Sequence, residues 1–526
     1  MDIKTIEKID KVTAESMSGY VKFSLAFLFV ALVFIYSYTT YLNIPNNTFL
    51  ILGAVFGAYM AMNIGANDVA NNVGPAVGSK ALTMTSAIIL AAVFEAMGSF
   101  IAGGDVVKTI KDGIINPDLI ADPQIFVWAM TAALLSAAIW LNLATAVGAP
   151  VSTTHAIVGG VMGAGIAAAG FSIVSWGTMG NIAMSWVISP VLGGVVAALF
   201  LYFIKKTIIY KKDMISSAKV IVPYLIAFMA LAFSTYIILK GMKQLIKIDF
   251  VGASLIGIVI AVGTYFFVTQ VIEKKSEKLQ NRRESINTLF NIPLIFAAAL
   301  LSFAHGANDV ANAIGPLAAI YDAVTQNEIA SKVDIPFWVM AVGAIGIVVG
   351  LTLYGPKLIK TVGSEITELD QIRAFSIAMA AAITVIIASQ LGLPVSSTHI
   401  AVGGVFGVGF LREYLDSSES NYIAKARKRF KKDKKDLENF ERELAHLVEI
   451  KDKNKANYQR IVALHKLIDE KIETSAEAKK NFQEAKSIKY VKRDAVKRII
   501  AAWLITVPAA AGLAAAVFFM IKGIMS

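Results

Sequence analysis

Gly65-Ala66-Asn67-Asp68-Val69-Ala70-Asn71-Asn72-Val73-Gly74-Pro75 appears early in the chain. It returns as Gly306-Ala307-Asn308-Asp309-Val310-Ala311-Asn312-Ala313-Ile314-Gly315-Pro316, with nine of eleven positions unchanged. A second stretch, Pro150-Val151-Ser152-Thr153-Thr154-His155, returns as Pro394-Val395-Ser396-Ser397-Thr398-His399. Each copy then reaches a glycine pair, Gly159-Gly160 and Gly403-Gly404. The two elements are 75 residues apart in the first copy (75 to 150) and 78 in the second (316 to 394). Ordered repetition at near-constant spacing is the mark of a duplicated domain.

The surroundings of these elements are apolar. Of 526 residues, 56% are hydrophobic and 17% charged, whereas a soluble domain carries about 25% charged residues. Mean hydropathy is +0.63. A bilayer helix needs about 20 apolar residues, and runs of that order begin near residues 21, 82, 125, 182, 219, 250, 336, 372 and 499. Two further runs, 49–64 and 291–305, are short and lead into the repeated polar elements. The runs 125–147 and 151–170 abut without a polar loop, as do 372–393 and 394–411. Short or interrupted spans in matching halves point to a transporter site. The expected fold is an all-α polytopic membrane protein of about 12 transmembrane segments. They form two inverted-topology repeats with broken or hairpin helices, plus a cytoplasmic helical insert. The alternating segments of an outer-membrane barrel, about 10 residues each, are not seen.

Orientation follows from the basic loops. The loop entering the first copy, 43–48, is uncharged, whereas the one entering the second holds Lys274, Lys275, Lys278, Arg282 and Arg283. The loop after the second element is uncharged in copy one (171–181) and becomes the basic stretch 412–498 in copy two. Copy one exits through Lys205, Lys206, Lys211 and Lys212; copy two exits into a short tail. Every comparison flips, so the halves are expected to be inverted, with 205–219, 273–290 and 412–498 cytoplasmic. Lys240, Lys243 and Lys247 fall on the other side and count against this scheme. The expected parts are an N-terminal segment with the first span (1–47), a first repeat (48–204) and connecting spans (205–290). A second repeat (291–411), the insert (412–498) and a final span (499–526) complete the chain.

The insert carries 24 Lys/Arg and 16 Asp/Glu, or 24 − 16 = +8 of the net +11. The basic balance therefore speaks of orientation in the cell (cytoplasmic) membrane, and no nucleic-acid partner is expected. Phe440, Leu444, Leu447 and Ile461, Leu464, Ile468, Ile472 recur at helical spacing, which predicts a solvated helix pair. Regulation or a homodimer contact is the sharper alternative. With no cysteine, disulfide and thiol chemistry are excluded. The polar first twenty residues have no cleavable-signal pattern.

Asp68 and Asp309 are the costliest residues, because a charge at the bilayer centre costs on the order of 2.5–3.5 kcal/mol. A helix cap is the bland explanation, but a cap can use uncharged Ser or Asn. A carboxylate beside carboxamide oxygens suits a small hard cation. Asn67 with Asn71, and Asp68 with Asn72, share a helical face at i,i+4. The second copy keeps only Asn308 with Asn312, since Asn72 becomes Ala313. Asp68, Asn71, Asp309 and Asn312 are the expected Na⁺ ligands.

The Pro-Val-Ser-(Thr/Ser)-Thr-His stretches read as helix starts. Two facing helix N-termini offer an anion free N–H groups and positive dipole ends, with hydroxyls from Ser152, Thr153, Thr154, Ser396, Ser397 and Thr398. Small-residue helix packing is the alternative reading. His155 and His399 are expected to donate a hydrogen bond that holds each tip, or to relay protons. Glu95 is a further mid-span acid with no counterpart near 338–346. No Lys or Arg lies within the repeated elements. A dianion beside two Asp gives −2 − 2 = −4, which two or three monovalent cations bring to −2 or −1. Cation-coupled anion symport follows.

The duplicated GANDVAN and PVS(T/S)TH elements resemble those of the inorganic phosphate transporter (PiT) family, over roughly 48–204 and 291–411. The resemblance implies inverted repeats and symport of inorganic phosphate with Na⁺ or H⁺. By position, Asn67, Asp68, Asn308 and Asp309 fall in the family signature, and Thr153, Thr154, Ser397 and Thr398 in its second element. The phosphate-binding set expected is therefore Asn67, Ser152, Thr153, Thr154, Asn308, Ser396, Ser397 and Thr398. Glu95, His155 and His399 are possible coupling residues. The insert at 412–498 departs from the family's large central loop. Two or three Na⁺ are expected as co-transported ions, with no organic cofactor. Na⁺ is favoured over H⁺ because no buried acid–histidine chain is evident. Alternatives are H⁺-coupled or metal-phosphate uptake, sulfate transport and, from another class, an intramembrane aspartyl hydrolase. The protein is not expected to be an enzyme. Phosphate, Na⁺ and membrane lipid are its expected partners.

Overall fold

The structure, a computed structural model, describes residues 19–120, 122–146, 151–241, 248–326, 335–365, 369–419, 421–487 and 493–525. Pro150, Lys243 and Lys247 lie outside them. Seventeen helices of ten residues or more occur among the described residues. In chain order they are α1 (Gly19–Tyr41), α2 (Asn47–Asn67), α3 (Val69–Gly78), α4 (Met84–Ala102), α5 (Pro123–Ala146) and α6 (Thr153–Ala169). Then come α7 (Trp176–Ile204), α8 (Met214–Gly241), α9 (Phe250–Ser276), α10 (Asn291–Asp309), α11 (Ala311–Gln326) and α12 (Phe337–Glu365). The last are α13 (Gln371–Gln390), α14 (Ser397–Glu419), α15 (Asn421–Glu449), α16 (Lys455–Ser487) and α17 (Arg493–Met525). Among the described residues, eleven helical stretches are long and apolar enough to cross a bilayer. This is a multi-pass membrane protein.

Two of the eleven, Asn47–Gly78 and Asn291–Gln326, are helix pairs interrupted inside the repeated motif. Asp68 sits at the first interruption and Val310 at the second. There the hydrogen bonding tightens, with Asn71 N–H bonding to Asp68 O (3.0 Å) and Ala313 N–H to Val310 O (3.1 Å). Pro75 and Pro316, inside α3 and α11, cannot donate to the preceding turn. The abutting runs form the pairs α5/α6 and α13/α14. With 17 residues, α6 is at the lower limit of about 17–25 residues for a span and is not among the eleven.

Small residues set how closely the buried helices approach. Gly98 on α4 faces the Phe303 carbonyl on α10, and Gly306 on α10 faces the Glu95 backbone on α4. A Cβ at either position would overlap that backbone. This close crossing brings Glu95 against the end of α10.

Residues 409–492 form a compact unit separate from residues 1–408 with 493–526. Within it α15 and α16 pack together. Leu464 and Ile468 are buried, whereas Ile472 is exposed. The guanidinium of Arg460 makes two bonds to Glu443 (2.7 and 3.0 Å) and holds that carboxyl below its usual range. Lys471 donates to Asp433 (2.8 Å). In the membrane unit Lys240 pairs with Asp105.

Candidate functional site

Both copies of both elements converge in one buried cluster. Asn67, Asp68, Asn71, Asn308, Asp309 and Asn312 are at most 4% exposed, as are Ser152, Thr153, Thr154, Ser396, Ser397 and Thr398. Ser152 accepts from His155 N–H (3.1 Å) and Ser396 from His399 N–H (3.2 Å). These two serines are therefore N-caps of the tips of α6 and α14.

Within each half, the tip hydroxyl meets the motif carboxylate. Thr153 donates to Asp68 Oδ2 (2.5 Å), and Ser397 donates to Asp309 Oδ2 (3.2 Å). Asn67 donates to Thr145 (2.9 Å) as Asn308 does to Ser389 (3.0 Å). Across the halves, Asn71 donates to Thr398 (2.9 Å), while Asn312 donates to Thr153 (3.2 Å) and Thr154 (3.1 Å). Thr398 donates to Asp68 Oδ1 (3.1 Å) and Thr154 to the Val395 carbonyl (3.0 Å). Asp68 thus takes a hydroxyl from each tip. Thr145 and Ser389, each five residues before the repeated proline, are site residues that the motif comparison missed.

The second carboxylate is less satisfied. Asp309 Oδ1 and Asn312 Oδ1 are buried acceptor oxygens with no hydrogen-bond partner, and so is Asn72 Oδ1. Buried acceptors left unpaired cost about 1–3 kcal/mol each, unless a cation fills the gap. Oxygen atoms of this kind fit a hard monovalent ion.

One expectation is overturned. A buried acid–histidine chain does exist, built on His305, which repeat matching passes over. Glu95 Oε1 accepts from Asn72 (2.8 Å), and its Oε2 lies 2.7 Å from His305 Nδ1. His305 Nε2 lies 3.0 Å from Asp309 Oδ2 without hydrogen-bond geometry. All three ionisable groups are at most 1% exposed. Asp68, His305 and Asp309 bring one ligand atom each to within 4.8 Å of one another.

His155 and His399 do not hold the tips by side-chain hydrogen bonds, since none of their four ring nitrogens has a partner. They pack on each other instead, with ring centroids 4.4 Å apart. Trp186 packs tilted against the first (3.9 Å, 42°) and Trp503 stacks on the second (3.6 Å, 28°). The serine caps already satisfy the tip amides, leaving the imidazoles to fill an aromatic box. A cavity of about 440 Å³ reaches Asn63, Ala66, Asn142 and Thr145, beside the Asn67–Thr145 bond.

The sequence profile described as the phosphate transporter family matches residues 64–514. The chain belongs to that family. It is 49% identical over 536 residues to a Helicobacter pylori J99 protein that bears the provisional name of a phosphate permease, covering 98% of each chain. A Thermococcus kodakarensis protein with the same provisional name is 41% identical over 366 residues, covering 69% of this chain and 89% of that one. Among solved structures, one described as the sodium-dependent phosphate transporter is similar at 31% identity and a TM-score of 0.72, covering 90% of this chain and 99% of that one. Members of this family are transporters rather than enzymes.

Proposed function

We propose that the protein is a secondary transporter that carries inorganic phosphate together with Na⁺ across the cytoplasmic membrane by alternating access. In this reading the halves are inverted repeats and the basic insert is cytoplasmic. The observation that carries it is the pair of unpartnered buried oxygens, Asp309 Oδ1 and Asn312 Oδ1, next to Asp68, whose carboxylate takes a hydroxyl from each tip. The site holds no Lys or Arg, so phosphate entering beside Asp68 and Asp309 needs cations to offset the charge. The sodium-dependent character of the similar solved structure supports Na⁺ in that role. Phosphate would be met by the paired N-termini of α6 and α14 together with Thr153, Thr154, Ser397 and Thr398. Those hydroxyls now donate to Asp68, Asp309 and Val395, so substrate and cation binding must exchange partners at the same atoms. Such exchange couples them.

Phosphate binding to the purified protein, measured in Na⁺ or in K⁺ at equal ionic strength, tests this reading. Binding should need Na⁺, and Asp309→Asn should lose that dependence while the protein stays folded. Equal binding in both salts would contradict it.

A second reading, proton participation, is favoured by Glu95–His305–Asp309. A proton on each ring nitrogen makes His305 an imidazolium between two carboxylates, a built-in cation where a bound Na⁺ would otherwise be needed. Uptake by His305→Gln should then lose most of the pH dependence of the wild type. An unchanged pH profile would leave the chain a packing feature.

A further inference from the structure

The largest apolar cavity among those described lies away from the transport site. It measures about 670 Å³, within the range of about 300–1,000 Å³ typical of ligand pockets. Its walls are the α8–α9 pair on one side, and α10 with Phe94 of α4 on the other. Phe267 and Phe296, both more than half exposed, are among its lining residues. An aqueous solute has little to bind here, because the lining is almost wholly apolar.

The stripes that line the cavity run into lysines at one end. On α9, Gly263, Phe267 and Val271 line it. At 100° per residue Lys274 and Lys275 continue the same face beyond Val271, whereas Glu273 points the opposite way. On α8, Ile226 and Phe233 line it, and Lys219 lies two turns before Ile226 on that face. The start of α8 and the end of α9 are tied together. Asn281 accepts from Met214 N–H (2.9 Å) and donates to the Lys212 carbonyl (2.8 Å). Helical phase therefore puts Lys219, Lys274 and Lys275 on the cavity-lining faces of α8 and α9, one to two turns beyond the lining residues. Basic residues at the ends of membrane helices attract anionic lipid headgroups.

We propose that this slot binds one acyl chain of an anionic phospholipid whose headgroup phosphate is held by Lys219, Lys274 and Lys275. The bound chain lies against Phe296 and Leu300 on α10, the helix that ends in His305 and Asp309, and against Phe94, the neighbour of Glu95. The lipid supports the outer side of the helices whose inner side forms the transport site.

Gly263 offers a mild test, since a Cβ there meets nothing within 4 Å. Gly263→Phe should fill the slot without displacing backbone. Gly180→Phe, at another open glycine outside the slot, serves as control. Phosphatidylglycerol and phosphatidylcholine binding to the full-length protein would be measured by native mass spectrometry. Phosphatidylglycerol should bind more tightly. Gly263→Phe should weaken it at least tenfold, and each of Lys274→Gln and Lys275→Gln about fivefold. Gly180→Phe should bind as the wild type does. Equal affinity for both lipids would overturn the headgroup assignment. Unchanged phosphatidylglycerol binding in both the Gly263 and the lysine variants would overturn the site. So would loss of self-association, rather than of lipid, in Gly263→Phe, which would make the slot an interface between copies.

Discussion

Asp68 and Asp309 occupy equivalent places in the sequence but not in the chemistry of the site. Asp68 receives a hydroxyl from each tip, Thr153 and Thr398. Asp309 receives one hydroxyl, faces His305, and leaves Oδ1 open. The asymmetry traces to the positions where the two copies differ. Asn72 is Ala313 in the second copy, His305 is Ile64 in the first, and Glu95 has no counterpart. Those odd residues touch one another, as Asn72–Glu95–His305. Comparing copies shows what they share, so this chain was not legible from repeat matching. The i,i+4 spacing of His305 and Asp309 was the available signal. The threonines give a prediction at this scale. Thr398 lies between Asn71 and Asp68, and Thr154 between Asn312 and Val395. Thr154→Val and Thr398→Val should each weaken phosphate affinity, since a hydrogen bond to a charged group is worth about 1.5–3 kcal/mol. Because both hold the same seam, the double variant should depart from additivity by about 0.5 kcal/mol or more. Simple additivity in affinities measured at saturating Na⁺ would make the two tips independent.

Among the elements, apolar run length and the cap signals placed most helices within a few residues. Ser152 and Ser396 cap where the Pro-Val-Ser pattern puts a helix start. The interruptions were legible as motifs but not as geometry. Asp68 keeps helical backbone angles (φ −87°, ψ −35°), so the axis tightens there instead of opening into a polar loop. The aromatic box was invisible for a different reason. Trp186 and Trp503 lie on α7 and α17, far in sequence from the histidines they pack against, and only packing joins them. The helix pair α15–α16 followed from its heptad-like spacing, apart from Ile472, which faces outward. The pair belongs to a compact unit of its own, and no residue of the candidate site lies in it. Deleting Lys425–Lys489 and closing the gap with a short flexible segment should therefore leave phosphate uptake measurable. Complete loss of uptake in a correctly inserted deletion would make the pair part of the transport cycle.

For the molecule as a whole, the duplicated motifs, the absence of Lys and Arg within them and the family membership all lead to one physical problem. A multiply charged anion must pass two buried carboxylates. The account resolves it with co-bound Na⁺ at Asp309 and Asn312, and with hydroxyls that change partners between carboxylate and phosphate. The alternative, a proton carried by Glu95–His305–Asp309, uses the same charge balance with a different ion. Reconstituted protein in liposomes separates them, with radiolabelled phosphate uptake followed while Na⁺ and pH gradients are imposed independently. The account predicts that an inward Na⁺ gradient drives accumulation at equal pH on both sides, and that Asp68→Asn and Asp309→Asn each abolish it. Accumulation driven by a pH gradient alone, with no response to Na⁺, would contradict it.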